Sequence, residues 1–162
     1  MKIKLYGTAA AEGIPALFCK CDVCEHAQRV GGKEIRSRSQ SLINDDLLID
    51  FPGDTFMHKV YQGLQLEEIE HLLITHSHHD HFIPEDLMMR MVGYSGKIDN
   101  KLTVYGNASV KASFDRAQAL EGYSDAKRLA HKEIIEYKPF KVLDYIITPL
   151  LADHATNEKC FI

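Results

Sequence analysis

The sequence predicts an α/β fold. Short runs of strand length, apolar or alternating, interleave along the chain with amphipathic stretches of helical length. No internal repeat and no low-complexity linker interrupts them, and 162 residues with 45% hydrophobic and 26% charged side chains suit one domain with a buried core. Two further groupings fall inside that frame: His76, His78, Asp80 and His81 close together, and three of the four cysteines within residues 19–24.

Residues 2–7 alternate with period two and end at Gly7, which reads as a strand. A loop punctuated by Gly13 and Pro15 follows. A helix is expected from Asp22, with Glu25 as its capping-box partner, Val23, Ala27 and Val30 as its apolar stripe, and Gly31-Gly32 as its stop. Ser41-Leu42-Ile43 and Leu47-Leu48-Ile49 flank Asn44-Asp45-Asp46 as the arms of a hairpin. Asp54 is placed to cap a short helix through Tyr61, closed by Gly63. The apolar run His71-Leu72-Leu73-Ile74 fits a buried strand. Pro84, Glu85 and Asp86 suit the first turn of a helix reaching about Val92. Residues 102–105 read as a strand, after which Asn107 caps a helix with the stripe Val110, Phe114, Ala117 and Leu120 ending near Gly122. Residues 124–133 are ambiguous between helix and loop, and 134–137 and 145–151 read as strands. Residues 158–162 look like the start of a strand with no turn or cap after it, so the chain is expected to be a C-terminally truncated piece of a longer protein.

Charge and leader narrow the partners. A net charge of −4 supplies no global basic field, which disfavours nucleic acid. The N-terminal residues carry no long apolar segment, and no run is long enough to cross a bilayer, so a cytoplasmic protein without a membrane partner is expected. Cys19, Cys21 and Cys24 are too crowded for a disulfide framework. In a reducing compartment such a cluster points to metal instead, with small buried or free thiols as the other reading.

The segment Ile74-Thr75-His76-Ser77-His78-His79-Asp80-His81 carries the densest chemistry. It lies between the apolar strand and the Pro84 helix, in a strand-to-helix loop. Side chains two apart in an extended segment point the same way, so His76 and His78 can converge on one ion. Asp80 and His81 sit where the chain turns, able to face a second ion beside the first. Imidazole nitrogens bind zinc at roughly 2.0–2.1 Å, and a catalytic site leaves one position for water. Two ions about 3.5–4 Å apart can share that water and make it nucleophilic near neutral pH. A solvated histidine-rich loop is the competing reading, and four ligand-type residues in six at a strand's end argue against it.

Other side chains read as structural. His26, His58, His71 and His131 lack ligand-spaced neighbours, and His79 is the variable position inside the motif. Met57, Met88, Met89 and Met91 are expected to fill the core, and Cys160 to be a small core residue.

The His-x-His-x-Asp-His pattern resembles the metallo-β-lactamase superfamily. Leu5-Tyr6-Gly7-Thr8, Glu12-Gly13-Ile14-Pro15 and the cysteine cluster resemble one branch of it, which includes the cyclic phosphodiesterase of the phosphonate-degrading carbon–phosphorus lyase pathway. Leu48-Ile49-Asp50 matches the strand-end aspartate beneath the site, and the segment from Thr148 to His154 matches the later strand and histidine, so the likeness spans nearly the whole chain. The resemblance implies an αββα sandwich, of which this sequence would be the N-terminal, incomplete portion. It implies two divalent ions, zinc or manganese, the first held by His76, His78 and His154 and the second by Asp80 and His81. Asp80 would also orient the nucleophile or accept a proton, and Asp50 would act behind the ligands. The family's later bridging aspartate and final histidine do not occur in these 162 residues, which puts the second ion in doubt. Cys19, Cys21 and Cys24 would hold a structural zinc, with a C-terminal histidine as the family's fourth ligand and His26 as a local candidate.

The activity implied is hydrolysis by a metal-bound hydroxide, with a small phosphodiester, cyclic forms included, as substrate. A thioesterase or lactonase shares the same cluster, as does a tRNA-processing nuclease, and a metal-binding module without catalysis is a third class. The sequence is compatible with a homodimer.

Overall fold

The computed structural model describes residues 1–122, 125–154 and 157–162. Among the described residues, eight strands and four α-helices follow one another as β1 (Ile3–Gly7), α1 (Asp22–Val30), β2 (Gln40–Ile43), β3 (Leu47–Ile49), α2 (Thr55–Gln62), β4 (His71–Leu73), α3 (Pro84–Leu87), β5 (Leu102–Gly106), α4 (Ala108–Glu121), β6 (Leu129–Glu133), β7 (Phe140–Val142) and β8 (Tyr145–Ile147). Strands β1 to β6 form one sheet in chain order, antiparallel from β1 to β3 and parallel from β3 to β6. The second pair, β7 and β8, is a separate antiparallel hairpin.

The two faces of the sheet carry different layers. Leu47 and Leu48 are adjacent and both buried, so alternation sends them to opposite sides. Leu48, Leu72, Val104 and Leu129 pack with Val110, Phe114 and Ala117 of α4 in the main core. Leu47 and Tyr105 pack on the other side with Val142, Ile134 and Phe161, under the β7–β8 hairpin. The hairpin is also tied to the β2–β3 turn: Asn44 Nδ2 donates to the Tyr145 hydroxyl at 2.7 Å, which donates to Asp46 Oδ1 at 2.9 Å. That turn has left-handed φ at Asn44 and Asp45, residue types that tolerate it. Close approaches fix two strand ends. A Cβ on Gly7 would lie 1.8 Å from the Arg38 carbonyl oxygen, and one on Gly106 would lie 2.4 Å from a methyl of Val110.

Several expectations shift. Helix α1 begins one residue after its cap, Cys21, and no side chain caps it, so the Asp22–Glu25 capping box does not form. Its buried positions are Cys24 and Ala27, while Val23 and Val30 are exposed. The inward turn of Cys24 moves the stripe: its sulfur accepts a hydrogen bond from the Ala16 amide at 3.3 Å. Asp54 precedes α2, but its carboxylate turns away to accept from the Arg38 amide at 2.8 Å. The Pro84 helix narrows to a 3-10 turn over Met88–Arg90, where Ser95 Oγ takes the Arg90 carbonyl at 2.7 Å. Leu120, Met57 and Met89 are exposed, whereas Met88 is fully buried and Met91 packs against the core. Residues 134–137 are not a strand. The parallel partner β5 sets the register of Leu129–Glu133, and the chain then turns at Tyr137, whose φ is 59°. Within the ambiguous 124–133 stretch, residue 124 lies outside the described residues. Strand β7 was not visible as a pattern, and β8 stops at Ile147, leaving Leu151 as a single bridge to Phe161. Among the described residues, no helix is long and apolar enough to cross a membrane.

Candidate metal centre

The loop between β4 and α3 is pinned at both ends to the extension of β3. The Asp50 amide donates to the Leu73 carbonyl at 2.8 Å, the Phe51 amide to the His81 carbonyl at 2.7 Å, and the Ile83 amide to the Phe51 carbonyl at 2.9 Å. Between these pins the His81 and Phe82 amides both donate to the His78 carbonyl, which curls the motif into a turn rather than an extended run. The curl brings the rings together: His76 and His78 centroids are 4.6 Å apart, and His76 and His81 are 4.2 Å apart.

Asp50 organises this loop from below. Its φ of 63° is left-handed, a conformation aspartate tolerates better than most residues, and its carboxylate is buried. Oδ1 accepts from the Thr75 amide and hydroxyl, both at 2.9 Å, and Oδ2 from His81 Nδ1 at 2.7 Å. With its proton given to Asp50, the Thr75 hydroxyl can only accept from His76 Nδ1, 3.1 Å away. The His76 ring therefore carries hydrogen on Nδ1 and presents a bare Nε2, while Asp50 holds a hydrogen on His81 Nδ1. His81 Nε2 lies 3.4 Å from Asp80 Oδ2, while His76 Nε2 is buried with no hydrogen-bond partner. A buried acceptor left alone is costly in any protein, and a cation is the partner that imidazole nitrogen suits.

The third ring arrives from the far end of the chain. His154 lies after β8, yet its centroid is 4.8 Å from His76 and 5.5 Å from His78. Donor atoms of His76, His78 and His154 all fall within 4.8 Å of one another, a spacing that fits a common ion. Burial, followed by the charges of His81 and His78, pushes the His76 imidazole down to about 4, so it is neutral and ready to bind. For His81, burial acts downward, but the hydrogen bond and charge of Asp50 and the charge of Asp80 outweigh it, and the net shift is up. His79 is exposed.

Cys19, Cys21 and Cys24 form a second three-donor group within the same 4.8 Å limit, with Cys24 buried and the other two exposed. His26 is not part of it and sits 3.4 Å from Arg29. The remaining histidines divide. His58 is fully buried and satisfied, with Nδ1 at 2.6 Å from Gln40 Oε1 and Nε2 at 2.8 Å from Ser37 Oγ. His71 meets the Tyr105 hydroxyl at 3.2 Å. Both nitrogens of His131 are buried without partners, and burial, then Lys111, pushes its imidazole down to about 4. Cys160 is buried, as expected.

Sequence reasoning missed two side chains at the centre. Thr75 stands directly before His76, where a hydroxyl gives no signal of its own. Glu158 accepts from Ser77 N and Oγ and comes within 3.8 Å of His78 Nε2. It is four residues beyond His154, and no spacing rule singles it out.

No protein-family model matches the chain. A curated octanoyltransferase of Porphyromonas gingivalis is 27% identical over 162 aligned residues, covering 95% of this chain but 31% of that protein. Three solved structures superpose well. Zn(2+)-bound PqqB from Methylobacterium extorquens gives a TM-score of 0.71 at 20% identity, over 91% of this chain and 55% of that one. A diphosphatase from the PhnP family gives 0.74 at 16%, over 98% and 60%. The metallo-β-lactamase fold protein YhfI from Bacillus subtilis gives 0.61 at 18%, over 98% and 55%. The chain thus has the metallo-β-lactamase fold, and it spans under a third of the curated relative and little more than half of these solved chains.

Proposed function

We propose that this chain, with its metallo-β-lactamase fold, carries the metal centre of a metal-dependent hydrolase acting on a small phosphodiester. The observation that carries the reading is the orphaned, buried Nε2 of His76, facing the donor atoms of His78 and His154. A divalent ion held there, zinc or manganese, would supply Lewis acidity and an activated water. The chain's own groups do the rest. His76, His78 and His154 bind, while Asp50 and Thr75 keep two rings in the binding tautomer. Asp80 and His81, 3.4 Å apart, would be two ligands of a second ion, and Asp80 would hold the proton taken from water.

The cysteine loop and the Gly7-Thr8 opening resemble the phosphodiesterase branch, which favours that bond as the target. Cys19, Cys21 and Cys24 are proposed to hold a separate structural zinc. The relative named octanoyltransferase prompts a second reading, an acyl group as the substrate, for which the thioesterase alternative supplies the probe. The test is His78→Ala in the full-length protein, with metal counted per chain. The variant should lose one metal and slow turnover of bis(p-nitrophenyl) phosphate by about a thousandfold or more. Undiminished turnover would remove the proposed site. Turnover of an acyl thioester but not of the diester would replace the first reading by the second.

A further inference from the structure

Glu158 is a buried carboxylate that the chemistry above leaves unused. Its side chain is 3% exposed. Its oxygens accept from the Ser77 amide at 3.1 and 3.2 Å, from Ser77 Oγ at 2.9 Å and from Asn107 Nδ2 at 3.2 Å. Ser77 is the residue between His76 and His78. Asn107 is the cap of α4, its Oδ1 accepting from the Val110 amide at 2.9 Å, and its Nδ2 also donates to the Lys159 carbonyl.

The position of Glu158 in the chain gives these bonds their meaning. His154 rides on an excursion whose two limbs are paired at the base. The Ala152 amide donates to the Cys160 carbonyl at 2.9 Å, Leu150 and Ile162 exchange bonds at 3.0 and 3.2 Å, and the Phe161 amide donates to the Thr75 carbonyl at 3.0 Å. Glu158 lies on the returning limb and reaches back to the loop that carries the other two ligands. One side chain thereby joins the His154 limb, the His76–His78 loop and the start of α4.

Charge points the same way. The donors on Glu158 are neutral, so they satisfy its oxygens without cancelling its charge; it stands 3.8 Å from His78, and its charge also acts on His76. Three neutral imidazoles on a dication leave the opposite excess. Each group supplies what the other lacks.

We propose that Glu158 is a second positioning residue of the histidine centre beside Asp50, latching the His154 limb onto the His76–His78 loop and balancing the charge of the bound cation. The role rests on the metal-binding reading above. Co(II) added to the intact protein tests it, because thiolate ligation at the cysteines adds a charge-transfer band that a histidine centre lacks. The two groups can therefore be titrated separately. Glu158→Ala should weaken cation binding at the histidine centre by about 10–100-fold, and it should alter the ligand-field spectrum while the metal-free melting temperature stays near that of the parent. Glu158→Gln keeps the shape and carries the test if the alanine variant does not fold. It should lose less affinity than alanine but more than Ser77→Ala, which removes one hydroxyl. Parental affinity and spectrum in a folded Glu158 variant, or a lowered melting temperature with unchanged cation binding, would overturn the role. Parental Co(II) binding in His78→Ala would instead overturn the histidine centre itself.

Discussion

The histidine and cysteine groups are alike in donor number and spacing, and unlike in how the fold supports them. The cysteines come from a six-residue stretch, and their recorded hydrogen bonds are local: the Ala16 amide to Cys24 and the Cys21 amide to Cys19. The histidines come from two loops 73 residues apart in sequence, from His81 to His154, and two rings of the motif, His81 directly and His76 through Thr75, are backed by the buried Asp50. Metal affinity depends on such backing, because a ligand already held in place loses little freedom on binding. The thiols differ among themselves as well. Hydrogen bonds to the Cys24 amide and to Cys19 lower Cys21, whereas at Cys24 burial and the neighbouring sulfurs outweigh the Ala16 hydrogen bond and raise the thiol. The contrast teaches that local spacing can gather ligands, while only distant residues can orient them.

The strongest way to break this comparison is to remove the backing and keep the ligands. Asp50→Ala frees His81 and Thr75, and through Thr75 the tautomer of His76. Cation affinity at the histidine centre should fall about 10–100-fold, with binding at the cysteines unchanged, as read by Co(II) titration. Equal affinity would mean that Asp50 does not orient the rings.

A smaller effect sharpens the comparison under acid. His131 belongs to neither group, yet its imidazole is held near 4 against 6.5 for the free side chain. Above pH 6.5 it is neutral in both folded and unfolded chains. As pH falls, the unfolded chain takes the proton first, so stability drops from about pH 6.5 and levels near pH 4. His58 is shifted in the same direction by burial. His131→Phe, packed beside Phe114, should flatten that slope by roughly 1–2 kcal/mol, short of the full shift because the ring is only partly shielded. Denaturant titrations at pH 7 and pH 4.5 measure it, and an unchanged slope would assign the acid loss to other groups. That baseline must be known before acid release of metal from the two groups is compared.

The smallest effect is expected at the exposed cysteines. Cys21→Ser should shift the metal-free melting temperature by no more than about two degrees, and remove one zinc per chain while the histidine centre keeps its own. A large metal-free loss would show that Cys21 supports the fold directly.

The donor side chains of the histidine motif were legible because a strand, a turn and a helix leave regular marks, and His76, His78, Asp80 and His81 stand between them. Asp50 was legible by resemblance. Glu158 and Thr75 were not, since their roles arise from hydrogen bonds to residues far away or from a hydroxyl beside a histidine. Strand β6 was missed for a related reason. Its register is set by β5, and the more apolar stretch at 134–137 drew the expectation away.

By itself the sequence determined the α/β alternation, the two donor clusters and the buried strand that presents one of them, because each depends on neighbours within a few residues. Tertiary structure decided which face each strand turns to the helices, and that His154 meets His76 and His78. It also decided that Asp50 and Glu158 lie behind the rings. Those outcomes depend on which segments share a sheet edge and a core, and chain packing rather than local spacing sets that.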